Sequence, residues 1–147
     1  MDLRDKEMRK EIGLSCACFN LRRAARLVTQ RFDRILRESG ITANQFSILM
    51  AVYDRERILL TKLAGVLGME RTTLSRNVSL LTRMGMISTE AGSDRRQRNI
   101  IITKEGIILL EKALPLWQRA QREVVDVIGP EKWKGLLSGL HSLAKTL

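Results

Sequence analysis

Residues 61–85 read TKLAGVLGMERTTLSRNVSLLTRMG, and the period of their apolar positions decides the fold. Leu63, Ala64 and Leu67 recur at helical spacing ahead of Gly68, which predicts a short helix of about two turns, capped by Thr61 and stopped by the glycine. Over 70–84 the apolar residues Leu74, Val78 and Leu81 fall on one stripe and leave Arg71, Thr72, Ser75, Arg76, Ser79 and Arg83 on other faces; Gly85 closes this second helix. Two short helices across a tight glycine turn set the second crosswise on the first, with its polar face outward as a rod that fits the DNA major groove. On that rod Arg71 and Arg76 carry guanidinium forks able to pair with guanine or grip phosphates, and Thr72, Thr73, Ser75 and Asn77 offer short hydrogen-bonding groups. Taken alone, the same helix is equally well an ordinary solvated surface.

The residues that follow shift that balance. Segments 86–90 and 99–103 read as two short strands, the second rich in the β-branched Ile100, Ile101 and Ile102. The polar loop between them gathers Arg95, Arg96 and Arg98 at the tip of a hairpin, a shape suited to a minor groove or to flanking phosphates. Asp94 would be repelled by phosphate, so its expected role is to hold an arginine by an ion pair and aim it. A basic helix and a basic hairpin in tandem point to DNA more strongly than either does alone, and segment 61–103 is the expected reading surface.

Both ends of the chain read as long helices. Leu14, Cys18, Leu21, Ala25, Val28, Phe32 and Ile35 alternate steps of four and three, a heptad seam on one helix that ends at Gly40. Thr42-Ala43-Asn44-Gln45 is a capping box opening a helix whose expected face is Phe46, Leu49, Met50 and Tyr53. Thr103 caps a long helix through Leu110, Leu114, Trp117, Val124 and Ile128, which Pro115 is expected to bend or divide. Gly129-Pro130 starts a last helix with Trp133, Leu137, Leu140, Ala144 and Leu147 at heptad spacing. The two terminal seams, carrying Leu14, Leu21, Val28, Trp133, Leu137 and Leu140, offer more apolar surface than a small winged domain needs. Packing within the chain uses part of it, and twofold association is the better use of the rest.

Composition narrows the function classes. The 147 residues suit one compact domain. Lysine and arginine total 26 against 16 acidic residues, a net charge of +10, which favours a polyanionic partner, either nucleic acid or an anionic membrane surface. No apolar run approaches the ~18 residues of a membrane span, so the expected location is cytoplasmic, with no membrane partner. Cys16 and Cys18 do not make a disulfide framework, and His141 is the sole histidine, so no metal and no cofactor are expected. No glycine-rich phosphate loop, paired carboxylates or nucleophile elbow appears, and the expectation is that the chain is not an enzyme. The fold class expected is mainly α with a small two- or three-stranded β wing: a winged helix-turn-helix with N- and C-terminal dimerisation helices.

Leu63-Ala64, Leu67-Gly68-Met69, Thr73-Leu74-Ser75-Arg76-Asn77-Val78, Leu81, Gly85-Met86-Ile87, Asp94-Arg95-Arg96 and Ile102-Thr103-Lys104-Glu105-Gly106 occur in this order and spacing. In this the chain resembles the MarR family of bacterial transcription regulators over nearly its whole length, most strongly over 63–106. The resemblance implies a single domain over 1–147, with the winged helix-turn-helix at 42–104 and dimerisation helices at 10–40 and 105–147. It also implies that Asp94 and Arg96 pair in the wing and that Arg96 enters the minor groove. The implied partners are a second copy of the chain, a pseudo-palindromic double-stranded operator, and a small aromatic or phenolic effector bound between the dimerisation helices and the winged domain. Such regulators are most often repressors that the effector releases from DNA.

The string Cys18-Phe19-Asn20-Leu21, followed by Thr29-Gln30, resembles the peroxide-sensing subset of that family and makes Cys18 a candidate redox sensor. The subset sets tyrosine hydroxyls beside the thiol, whereas Phe32 stands where one of them would fall, so activation would rest on Arg22, Arg23 or Arg26. The other reading of Cys18 is an inert thiol packed at a heptad position. Cys16 lies about 200° around the helix from Cys18, so the two are not expected to pair within one chain. A third function, less favoured, is a non-specific architectural protein whose charge coats DNA.

Overall fold

The computed structural model describes residues 5–94 and 97–146. Its elements run α1 (Lys6–Ser15), α2 (Ala17–Leu36), a 3-10 turn (Arg37–Ser39), α3 (Ala43–Arg55), β1 (Arg57–Leu59), α4 (Leu60–Leu67), α5 (Arg71–Arg83), β2 (Ile87–Ala91), β3 (Arg98–Ile102), α6 (Lys104–Ile128) and α7 (Pro130–Thr146). The mainly helical, winged helix-turn-helix class expected from the sequence is the one observed, and the wing has three strands in the order β1-β3-β2.

The single N-terminal helix expected from the heptad seam is two helices. Cys16 is extended at φ −63°, ψ 109° and serves as the N-cap of α2, its Sγ accepting from the Phe19 N–H at 3.5 Å. The break is compensated locally. Asn20 Nδ2 donates to the carbonyls of Leu14 at 3.1 Å and Cys16 at 2.9 Å, supplying partners for groups left open where α1 ends. Heptad spacing registers which residues share a face and is blind to a one-residue interruption that a nearby amide can satisfy. Because Cys16 is not helical, the angular separation that placed it out of reach of Cys18 does not apply.

At Thr42 the capping box forms as read: Gln45 N–H donates to Thr42 Oγ1 at 3.2 Å and Thr42 N–H to Gln45 Oε1 at 2.9 Å. Asp33 of α2 accepts from the next backbone N–H, that of Ala43, at 2.7 Å, which fixes the start of α3 against α2. The buried face of α3 is Phe46, Ile48, Leu49 and Val52, while Met50 and Tyr53 stay exposed. The expected face is thus rotated, because α3 packs against α2, α4, α6, β1 and β3 together and its buried arc is wider than a single stripe.

Strand β1 was not assigned from the sequence. Its three residues pair antiparallel with β3, Arg57 opposite Ile101, Ile58 opposite Ile100 and Leu59 opposite Asn99, and Glu56 turns the chain into it at φ 57°. With Leu59 committed to the sheet, α4 starts at Leu60 without a side-chain cap; Thr61 is inside the helix and does not cap it. Gly68 ends α4 in the left-handed region, φ 57°, as a stop glycine should. Strands β2 and β3 pair from Ile87 opposite Ile102 to Ala91 opposite Arg98, each offset by one residue from the expected bounds. Thr103 is thereby free to cap α6, accepting from Gly106 N–H at 3.1 Å.

The core sits where α3, α4, α5, the sheet and the first half of α6 meet, with Leu36, Ile48, Leu49, Val52, Leu63, Leu74, Leu81, Ile87 and Ile100 fully buried. Phe46 and Trp117 stack at its edge with ring centroids 6.1 Å apart. Helix α6 runs unbroken through Pro115, so the expected division does not occur. One missing N–H is tolerated because α6 is anchored on both sides of the proline, by buried Leu110 and Ala113 before it and Ala120 after it. Arg31 of α2 and Glu123 of α6 form an ion pair, and Arg119 of α6 meets Glu38 at 2.7 Å.

Candidate nucleic-acid interface

Helix α5 acquires its orientation from the burial of Leu74, Val78 and Leu81. At about 100° per residue these three occupy one arc and Thr72, Ser75, Arg76, Ser79 and Arg83 the opposite one, while Arg71, in the first turn, stands at the margin between them. Those six residues line one open cleft of 580 Å³. Its lining holds three guanidinium groups and no carboxylate. Thr73 and Asn77, also expected at the site, fall on the flank between the two arcs. Asn77 Nδ2 is turned back to its own helix, donating to the Thr73 carbonyl at 3.0 Å. The structure therefore brings together four of the six residues expected on this helix and adds Ser79 and Arg83, which the sequence reading left off the site. The signal was available: 72, 75, 76, 79 and 83 continue one polar arc at helical period.

A second cleft, of 280 Å³, lies between the start of α4, the first turns of α5 and the foot of the wing. Its lining is Leu59, Leu60, Thr61, Arg71, Ser75, Gln97 and Arg98. Arg71 and Ser75 form the wall common to both clefts, so the outward arc of α5 continues onto the wing. The wing turn is closed by Gln97 N–H donating to the Asp94 carbonyl at 2.8 Å and Gly92 N–H to the Gln97 carbonyl at 2.8 Å. Glu90, the acid on β2, is engaged by Arg57 of β1 at 2.8 Å across the intervening strand. Arg95 and Arg96, and with them the expected pairing of Asp94 with Arg96, lie outside the described residues.

The junction between wing and α6 is tight. Thr103 N–H donates to the Met86 carbonyl at 3.1 Å and its hydroxyl to the Gly85 carbonyl at 2.6 Å. Gly106, buried in the first turn of α6, faces the same Met86 carbonyl. The end of α5, the start of β2 and the start of α6 thus form one hydrogen-bonded corner.

The terminal helices carry much of the uncovered apolar surface. Leu14 is 72% exposed, and Leu21 and Val28 are each 38% exposed. Trp133, Leu137 and Leu140 form a half-buried stripe on α7, which has no fully buried residue. Within the single chain Cys18 is exposed, and together with Cys16, Phe19, Arg22, Arg23 and Arg26 it lines a cleft of 560 Å³. A smaller cleft of 190 Å³ opens between α2, α3 and α6, lined by Val28, Thr29, Phe32, Ala43, Asn44, Phe46, Ser47 and Trp117. Among the described residues no group of histidine, cysteine and carboxylate side chains is placed to hold a metal ion, and no helix is long and apolar enough to cross a membrane.

Comparison with known proteins agrees with this geometry. A family model described as the MarR family matches residues 39–97. The M. tuberculosis transcriptional regulator MosR, solved in complex with DNA, is 39% identical and superposes with a TM-score of 0.80 over 90% of this chain and 96% of that one. The organic hydroperoxide resistance transcriptional regulator of Bacillus subtilis is 26% identical over 137 residues, 88% of each chain. NadR, solved in complex with 4-hydroxyphenylacetate, is 25% identical with a TM-score of 0.69 over 86% of this chain and 90% of its own. With a winged helix-turn-helix between two helical ends, and with a likeness to MosR that spans nearly the whole of both proteins, the chain belongs to the MarR family of DNA-binding transcription regulators.

Proposed function

We propose that the chain is a sequence-specific homodimeric repressor of the cytoplasm, released from a pseudo-palindromic operator by a small-molecule effector. The observation that carries this reading is the continuous basic surface running from the outward arc of α5 onto the wing, with Arg71 in the wall of both clefts. In this reading Arg71, Thr72, Ser75 and Arg76 face the major groove, Asp94 to Arg98 engage the minor groove or its flanking phosphates, and 42–104 is the DNA-binding region. The segments 10–40 and 105–147 supply the dimer, using the exposed apolar faces of α1 and α2 and the stripe of Trp133, Leu137 and Leu140. A twofold then sets two copies of α5 about one helical turn apart on DNA.

The cleft between α2, α3 and α6 is the site proposed for the effector. It joins the dimerisation helices to the DNA-binding region, and its walls of Phe32, Phe46 and Trp117 beside Thr29, Asn44 and Ser47 suit an aromatic ring with a polar substituent. An effector wedged there shifts the population toward the dimer geometry it fits and changes the separation of the reading helices. The repressor reading is tested by measuring affinity for a duplex selected by the full-length protein from a random-sequence pool, against unselected DNA at near-physiological salt. A preference of ~10³-fold or more is expected. No preference would identify the protein as a non-specific architectural binder instead.

A thiol-based oxidant sensor is the second reading, favoured by the exposure of Cys18 beside three arginines at the start of α2. Accessible, electropositive surroundings are where cysteines oxidise selectively. The sulfur takes one oxygen from an organic hydroperoxide, giving a sulfenic acid and releasing the alcohol. Cumene hydroperoxide is expected to release the wild-type protein from its selected duplex and to leave the Cys18→Ser variant bound. Wild-type protein that holds its DNA through the treatment would remove this reading.

A further inference from the structure

We propose that the cleft between α4, α5 and the wing seats one phosphate of the DNA backbone, clamped from two sides by Arg71 and Arg98, and that Arg71 is therefore a positioning residue rather than a reader of bases. The proposal rests on the DNA-binding reading above and adds to it a specific ligand group and a site that spans three elements.

Two guanidinium groups reach this cleft from elements far apart in sequence, Arg71 from the first turn of α5 and Arg98 from the first residue of β3. Neither makes an ion pair or hydrogen bond among the described residues, and both side chains belong to exposed residues. The lining contains no acid that would neutralise them. The hydroxyls of Thr61 and Ser75 and the amide of Gln97 complete a wall of donors, while Leu59 and Leu60 supply an apolar floor. Like charges drawn into one cleft repel each other until an anion enters, and a phosphate oxygen is the group that two planar forks can grip together. A base edge fits less well, because the cleft lies beside the outward arc of α5 rather than on its crest, at the place where the strand backbone passes between a helix in the major groove and a wing beyond it.

The consequence is mechanical. Arg71 and Arg98 on a shared phosphate tie α5 and β3 to the same strand of DNA, so helix and wing dock in one register. Base reading then falls to Thr72 and Arg76 and to the residues further along α5.

The test uses the full-length protein and its selected duplex, prepared as a series with a single neutral methylphosphonate at each backbone position. One position in each half-site is expected to weaken wild-type binding by roughly 10-fold; at that same position the Arg71→Gln and Arg98→Gln variants are each expected to reduce the penalty, and the double variant to lose it. The double variant is expected to lower the salt slope by about 0.9 per half-site, the value for one phosphate, rather than by twice that. Arg71→Gln is expected to leave base preference unchanged in a new selection. The proposal is overturned if the two arginines map to different phosphates, if neither is coupled to any phosphate, or if Arg71→Gln changes the selected sequence. Each of those outcomes leaves the regulator reading standing, whereas a pool that yields no selected sequence overturns that reading itself.

Discussion

Arg76→Ala is expected to weaken binding to the selected operator by about 1–3 kcal/mol, roughly 5- to 150-fold, with no change in thermal stability. Arg76 lines the larger cleft together with Thr72, Ser79 and Arg83, and it has no ion pair or hydrogen bond among the described residues that its removal would break. It lies on the face opposite Leu74, Val78 and Leu81, so truncation leaves no cavity. The entire cost therefore falls on the DNA. Arg76→Lys separates the two contributions of this side chain: it keeps the charge and hence the salt dependence, but it loses the planar fork that pairs bidentately with guanine. A salt-controlled titration of both variants checks this, and wild-type affinity for Arg76→Ala would take the residue out of the interface.

Gly106→Ala should destabilise the fold by about 2–3 kcal/mol, which for a chain of this size lowers the melting temperature by roughly 5–10 °C. In most helix interiors the same substitution helps by up to about 1 kcal/mol, because alanine has the higher helix propensity. Here the sign reverses. A Cβ on Gly106 would stand on the Met86 carbonyl oxygen and within 2.8 Å of Ile102 Cγ1, and that carbonyl also accepts the Thr103 N–H at 3.1 Å. Backbone cannot swing aside as a flexible side chain does, so the α5–β2 turn or the start of α6 must shift. Gly65→Ala in α4 is the control, since nothing lies within 4 Å of a Cβ built there. Thermal melts of the two variants are expected to move in opposite directions, and a Gly106→Ala protein as stable as wild type would show that the corner yields.

The thiol cleft shows why the candidate sites were unevenly legible. Cys18 was visible as a residue, but its surroundings were not, since a heptad position predicts a packed side chain and packing within one chain leaves it exposed. The break at Cys16 depends on the Asn20 amide reaching back to two carbonyls, an interaction that leaves the apolar period untouched. On α5 the opposite holds. The stripe of Leu74, Val78 and Leu81 fixed the polar arc in advance, and only the outer members Ser79 and Arg83 had to be added.

Sequence alone determined what is local: the stripe that turns Thr72, Ser75 and Arg76 outward, the caps at Thr42 and Thr103, and the stops at Gly68 and Gly129. Each is settled within a few residues by period, by a side chain bonding its own backbone, or by a φ that glycine tolerates. Tertiary structure decided what depends on partners distant in the chain. Arg57 to Leu59 become a strand only because β3, some forty residues later, offers free backbone groups, and that pairing moved the start of α4 past the point where Thr61 would have capped it. The same sheet carries Arg98 to the cleft that holds Arg71. A single basic surface on the reading helix was thus written in the sequence, whereas its continuation onto the wing exists only because three strands pair.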